Sequence, residues 1–298
     1  MRAPHVTELA GVDAAVYGIP FDTATSYRSG ARFGPEAIRS ASALIRPYHP
    51  AHDLNVVDAL SIVDYGDLPV SPGDIERTYA QVVEVLTPIV EAGVFPVALG
   101  GDHSITLAEL RVLAKLHGPL ALVQLDAHAD TWEAYFGQKY FHGTTFKRAV
   151  EEGLLDATAS VMAGMRGSVY AASDLGTARE LGFTVIESED LRALGPERYG
   201  DLVRNKVGQR AVFMSFDIDF LDPAFAPGTG TPEIAGFSRG GRRLLARFAW
   251  NQPRWLRRRR SLARVRRGGA ADGVGRRERR LRAARATGAQ VLTWVAIR

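Results

Sequence analysis

Cysteine is absent from the 298 residues, which removes disulfides, thiolate nucleophiles and sulfur-rich zinc sites together. No apolar run approaches the roughly 20 residues needed to span a bilayer, and the opening MRAPHVTELA lacks the apolar centre of a signal peptide. A cytoplasmic location and no membrane partner are the expectation. No Ser/Pro/Gly linker divides the chain, so with 46% hydrophobic residues it reads as one large globular unit. Acidic residues are scarce in one region: residues 239–298 hold 19 Arg, no Lys and just two acids, Asp272 and Glu278. The rest of the chain then carries 18 Lys+Arg against 31 Asp+Glu, so the net charge of +4 conceals an acidic body with a basic end.

What is present is a series of short apolar runs: DAAVYGIP (13–20), LSIVDYGD (60–67), VFPVALGGD (94–102), LALVQLD (120–126), ASVMAGMR (159–166), FTVIE (183–187) and AVFMSFDID (211–219). Each predicts a strand buried on both faces. Helical patterns lie between them: GPEAIRSASALI with Pro35 near its start, IERTYAQVVEVLTPIVEAG ending at Gly93, and SITLAELRVLAKLHG ending at Gly118. The alternation predicts α/β architecture, a parallel sheet with helices on both faces.

In such sheets ligands bind beyond the carboxyl ends of the strands. Polar clusters stand at three of those ends: GGDHS after VFPVAL, DAHAD after LALVQL and DID after AVFMSF. Asp126, His128 and Asp130 face one way if the strand direction persists through Asp130. Asp217 and Asp219 repeat the device, and His103 adds a sixth ligand. Four carboxylates converging without a cation would repel one another; two divalent ions would neutralise their charge of −4. Oxygen and imidazole donors without sulfur suit Mn²⁺, and a two-metal site activates water near neutral pH, so hydrolysis is the expected chemistry. Taken singly the residues have plainer readings. His103 reads as a loop or helix-capping residue, Asp102 and Ser104 as N-caps, Asp217 as a strand-end acid, Asp222 as a turn residue and His142 as a surface histidine. The joint pattern outweighs them.

GGDHS (100–104), DAHAD (126–130), HGTTF (142–146) and SFDIDFLDP (215–223), in this order, resemble the ureohydrolase family of arginases, agmatinases and related amidinohydrolases. The resemblance runs from about Val12 to Ser238. It implies a three-layer α/β/α sandwich, two Mn²⁺ per subunit and hydrolysis of a guanidino compound to urea and an amine. Carried over by motif, His103, Asp126, Asp130 and Asp217 would hold one ion and Asp126, His128, Asp217 and Asp219 the other. Asp130 would also orient the attacking hydroxide, and His142 would pass a proton to the leaving amine. Small polar residues that hold an amino-acid head group in arginases are missing from TWEAYFGQKYF, so agmatine, giving putrescine, is the expected substrate. Guanidinobutyrase and proclavaminate amidinohydrolase share nearly all these motifs and remain alternatives. Trp132, Tyr135, Phe136, Tyr140 and Phe141 read equally as a wall of the site or as loop residues packed on the body or a neighbouring subunit. Family members are usually trimers or hexamers, which makes a homo-oligomer the expected assembly where the C-terminus is intact.

The basic end admits a different class, a metal-containing non-catalytic protein with a nucleic-acid-binding tail, since RRRR (257–260) and RRERRLR (276–282) are strongly cationic. The absence of lysine and the scarcity of stacking aromatics there argue against nucleic acid. The preferred organisation is a catalytic domain over 1–238 and a tail over 239–298 read out of frame. One allowed encoding of 256–266, read from its second nucleotide, spells FDVVEVSPAY, which resembles the family segment whose Glu holds the guanidinium. Residues 276–283 yield GANVAYE in the same phase. The family Glu is thus absent, with Arg260 where its codon stood, and the substrate-binding carboxylate, closing strand and helices are expected to be lost.

Overall fold

Runs rich in β-branched and aromatic residues on both faces suit a sheet covered on both sides, and each of the seven predicted runs forms a strand. The computed structural model describes residues 3–50, 53–171 and 173–238 and the backbone of 293–297. The strands are β1 (Ala14–Gly18), β4 (Ile62–Asp67), β5 (Phe95–Leu99), β6 (Ala121–Leu125), β7 (Val161–Met165), β8 (Thr184–Glu187) and β9 (Val212–Phe216), joined by β10 (Thr293–Ile297). They form one sheet in the order β4-β1-β5-β10-β9-β6-β7-β8, parallel throughout. A separate antiparallel pair joins β2 (Tyr48–His49) to β3 (Leu54–Asn55).

Helices α1 (Gly34–Ser42), α2 (Val56–Ala59), α3 (Ile75–Glu91), α4 (Thr106–His117), α5 (Thr145–Glu151), α6 (Ser173–Glu180) and α7 (Ser188–Val207) link the strands. Their ends follow local chemistry. Pro35 sits in the first turn of α1, where a missing N–H costs nothing. The Asp74 side chain accepts from the Arg77 N–H at the start of α3, satisfying an orphan donor.

Alternation along the strands feeds two cores. Leu122 joins Tyr17, Leu86, Leu110 and Phe146 on one face, while Ala121, Val123 and Leu125 join Tyr199, Val203 and Val207 of α7 on the other. The architecture is therefore the expected α/β/α sandwich.

Strand β10 lies outside the expected seven and corrects the expectation that the closing strand is lost. TWVAI is apolar and β-branched, and it pairs with β5 on one side and β9 on the other. Arg260 and the rest of the basic end lie outside the described residues.

Tyr199 is fully buried on the α7 face, and its hydroxyl has no hydrogen-bond partner among the described residues. An unsatisfied buried hydroxyl carries a desolvation cost with no return. Tyr199→Phe is therefore expected to leave stability unchanged or raise it by up to about 1 kcal/mol, as urea denaturation would show; a loss above that would reveal a partner for the hydroxyl.

Candidate metal centre

Strands β5, β6 and β9 end at the same edge of the sheet, and the residues that follow them converge. The chain after β6 does not continue as a strand through Asp130, as the alternation argument required. The His128 N–H instead donates to Asp126 Oδ1 at 2.7 Å, and Asp130 adopts φ 52°, a left-handed conformation that Asp tolerates. A turn, not a pleat, brings the three side chains to one centre.

After β5, backbone meets backbone. The Asp102 N–H donates to Phe21 O at 2.7 Å, and a Cβ on Gly101 would fall 1.9 Å from that same oxygen; only glycine fits. Asp102 is a cap, as its plainer reading held: its Oδ1 accepts from the Ser104 N–H and its Oδ2 from the Ala24 N–H. His103 begins the next turn, buried, with Nδ1 aimed at the carboxylates.

That Nδ1 lies 2.8 Å from Asp130 Oδ2, 3.1 Å from Asp126 Oδ2 and 3.5 Å from Asp217 Oδ2. Its Nε2 lies 2.8 Å from Ser215 Oγ on β9. His128 Nδ1 lies 3.1 Å from Asp219 Oδ2 and 3.6 Å from Asp126 Oδ1. Ligand atoms of His103, Asp126 and Asp217 fall within 4.8 Å of one another, and so do those of Asp126, His128 and Asp219. Asp126 belongs to both groups. All six predicted ligands are brought together, with Asp130 reaching the first group through His103. His142 is not among them. Its Nε2 accepts from the Ser26 N–H at 3.2 Å and lies 3.0 Å from Ser26 Oγ, at the rim. Thr145 ties it to His103, its hydroxyl donating to both backbone carbonyls.

Electrostatics show what this costs without a cation. Burial and then the charges of Asp217 and Asp126 push the Asp219 carboxyl well above the usual range, and burial followed by Asp126 raises Asp217. Burial works against the Asp126 charge too, but bonds from His103 and His128 hold its carboxyl far below the ordinary value. Burial also opposes charge on His128, yet Asp219 and Asp126 pull its imidazole strongly upward. The cluster thus gathers more negative charge than its burial tolerates, and divalent ions would supply the compensating charge. Donor set, burial and charge deficit all fit divalent ions.

Several residues here gave no sequence signal. Gln124, on β6, donates to Asp126 Oδ2 at 2.8 Å and to His128 O at 2.9 Å. Arg166, just past β7, donates to the carbonyls of Gly164, Asp219, Leu221, Glu233 and Ile234. An arginine after a strand is too common to flag alone. The aromatic segment divides between its two readings. Trp132 stacks on Tyr135 at 5.5 Å, and Tyr135 on Phe141 at 4.6 Å and against Phe136, forming a wall that Tyr170 extends and that reaches His142 through Phe141. Tyr140 instead packs on Tyr79 of α3.

Bonded to His142 is the loop 22–32, which closes on Asp22. That buried carboxylate accepts from the Gly30 and Arg32 N–H groups at 2.6 and 3.2 Å and pairs with the Arg32 guanidinium. Burial alone would raise its pKa, but Arg32 and the backbone donors hold it below the ordinary value.

The profile of the arginase family matches residues 12–249. The chain is 46% identical over 241 residues to a guanidinobutyrase from Pseudomonas aeruginosa, covering 80% of this chain and 76% of the relative. It is 45% identical over 240 residues to a mitochondrial agmatinase from Gallus gallus, covering 80% and 70%. Among solved structures, proclavaminate amidinohydrolase from Streptomyces clavuligerus superposes with a TM-score of 0.78 at 43% identity, covering 83% of this chain and 82% of that one.

The Asp22 clasp makes a pH-dependent contribution. Because the folded-state pKa is depressed, its stabilisation is present above the unfolded value of about 3.9 and is lost as pH falls through the lower folded value. Asp22→Asn should therefore cost on the order of 1 kcal/mol at pH 7, and the gap from the parent should shrink toward pH 3. Urea titrations at the two pH values check this; an equal gap at both would reject the clasp.

Proposed function

The chain belongs to the arginase family, and from that premise we propose that its strand-end cluster is a dinuclear Mn²⁺ centre for hydrolysing agmatine to putrescine and urea. One observation carries the reading: two His/Asp groups that share buried Asp126. His103, Asp126, Asp130 and Asp217 would hold one ion, and Asp126, His128, Asp217 and Asp219 the other. Donors of oxygen and nitrogen without sulfur favour Mn²⁺ over structural zinc. When bound, the ions supply a nucleophilic hydroxide near neutral pH.

The protein's own side chains do the rest. Asp130, buried and in reach of His103, accepts a hydrogen bond from the attacking group and aims it at the guanidinium carbon. His142, once protonated, would deliver a proton to the departing amine and return to the neutral ring, in which Ser26 donates to Nε2 and Nδ1 carries the remaining proton. Trp132, Tyr135 and Phe141 exclude water on one side. Aromatic faces attract an ammonium group, which suits the primary amine of agmatine. A second reading, a guanidino acid such as 4-guanidinobutyrate, draws on the guanidinobutyrase relative and on Arg28, whose guanidinium packs over Tyr27 in the loop bonded to His142.

Residues 1–238 would constitute the catalytic domain, with 239–298 an out-of-frame translation. The composition of that end supports this, as does the family match ending at residue 249. Without the family Glu, turnover by this chain is low or absent even when both ions are bound. Homo-oligomer formation belongs to the version with the restored end, and the location of the enzyme is the cytoplasm.

Two outcomes follow. The chain should take up two Mn²⁺, Asp126→Asn should retain fewer than one, and urea release from agmatine should exceed that from arginine and 4-guanidinobutyrate once the reading frame is restored. Saturation below two ions in a folded sample, or arginine turning over faster, would reverse the respective claim. Sequencing the gene should show that a single-nucleotide shift between codons 238 and 254 restores FDVVEVSP; if none does, the out-of-frame reading is wrong.

A further inference from the structure

The two imidazoles are built alike. Each turns Nδ1 toward the carboxylates, so in each the metal would take Nδ1 and leave the ring proton on Nε2. That N–H then needs an acceptor, because the acceptor fixes both tautomer and ring orientation. For His103 it is Ser215 Oγ at 2.8 Å. For His128 the group facing Nε2 is the carboxylate of Glu233, with Oε1 at 3.9 Å, within ion-pair reach.

Glu233 is held in that place from three directions. Arg166 donates to its backbone carbonyl at 3.0 Å and to the next carbonyl, Ile234 O, also at 3.0 Å. The same guanidinium donates to Asp219 O, so one cation fastens the segment carrying Glu233 to the turn carrying a predicted ligand. Thr231, two residues earlier, reaches Asp219 Oδ2 at 3.5 Å. Space for the carboxylate comes from Gly167. A Cβ there would fall 2.4 Å from Glu233 Cδ and Oε2, and its φ of +86° excludes most side chains in any case. The side chain keeps only about a quarter of its exposure, and its position at Nε2 puts it on the far side of the ring from both ligand groups.

We propose that Glu233 is a positioning residue for His128: it receives the Nε2–H of the metal-bound imidazole, with Arg166 and Gly167 holding it there. The inference rests on the dinuclear reading above. It assigns Glu233 no contact with metal or substrate. Its effect is confined to the ion that His128 holds, since His103 has its own acceptor.

The test is ion retention by the full chain after dialysis against a limiting chelator, read by elemental analysis, with calorimetric Mn²⁺ titrations and melting midpoints alongside. The parent should retain two ions. Glu233→Ala should retain one and bind the second about 10- to 100-fold more weakly, with an unchanged midpoint. Glu233→Gln keeps an acceptor oxygen and should recover most of the loss. Gly167→Ala, which displaces the carboxylate without removing it, should resemble Glu233→Ala. Two ions bound with unchanged affinity in Glu233→Ala would overturn this inference alone, whereas a parent that binds none would overturn the metal reading with it. Loss of both ions with a lowered midpoint, or no recovery in Glu233→Gln, would also overturn it.

Discussion

Negative charge gathered where it can least be solvated is the condition to which the rest of the molecule answers. Asp126, Asp130 and Asp219 are buried and Asp217 nearly so, all within a few ångströms of two imidazoles. Isolated carboxylates in such a place would neutralise by taking up protons, and the upward shifts at Asp217 and Asp219 show that pressure. The sheet is what imposes the crowding. Parallel strands end together, so the segments leaving β5, β6 and β9 have no choice but to meet, and both faces of the sheet are sealed by the two cores. A cation at the centre would turn that repulsion into binding energy.

How much of this could be read in advance depended on where the signal sits along the chain. The seven strands were legible because doubly covered strands are nearly continuous apolar runs, and the convergence of the six side chains was legible because each cluster directly follows such a run. Conformation within the clusters was not. Asp126, His128 and Asp130 share a face by way of a turn with a left-handed Asp130, a choice made by hydrogen bonds among neighbours and not by strand alternation. Gln124, Arg166 and Glu233 were silent for another reason. Arg166 and Glu233 meet residues tens of positions away, Gln124 bonds two and four residues along its own segment, and single polar residues of this kind carry no pattern that distinguishes them from ordinary surface groups.

Strand β10 shows the opposite limit. A central slot between β5 and β9 offers two unpaired edges, and any apolar, β-branched pentapeptide that can reach it gains a full set of ladder bonds. TWVAI meets that requirement without resembling FDVVEVSP. Filling the slot is thus a weak constraint on sequence, whereas placing a carboxylate at the strand's end to receive a guanidinium is a strong one. The same sheet can be complete as architecture and incomplete as a binding site.

The loops beyond the strand ends are joined by side-chain and backbone contacts. Asp22 closes the 22–32 loop, Ser26 in that loop donates to His142, and Asp102 beside His103 accepts from Ala24. On the far side, Arg166 binds five carbonyls that span the turn of Asp219 and the segment of Glu233. Gly230 packs against this first loop, since a Cβ there would fall 2.8 Å from Arg28 O. The contacts therefore run from the rim histidine past His103 and His128 and back to the first loop. Geometry at the centre is braced by these hydrogen bonds and by the close approach of Gly230 to Arg28, so a change in either loop reaches the cluster through backbone positions.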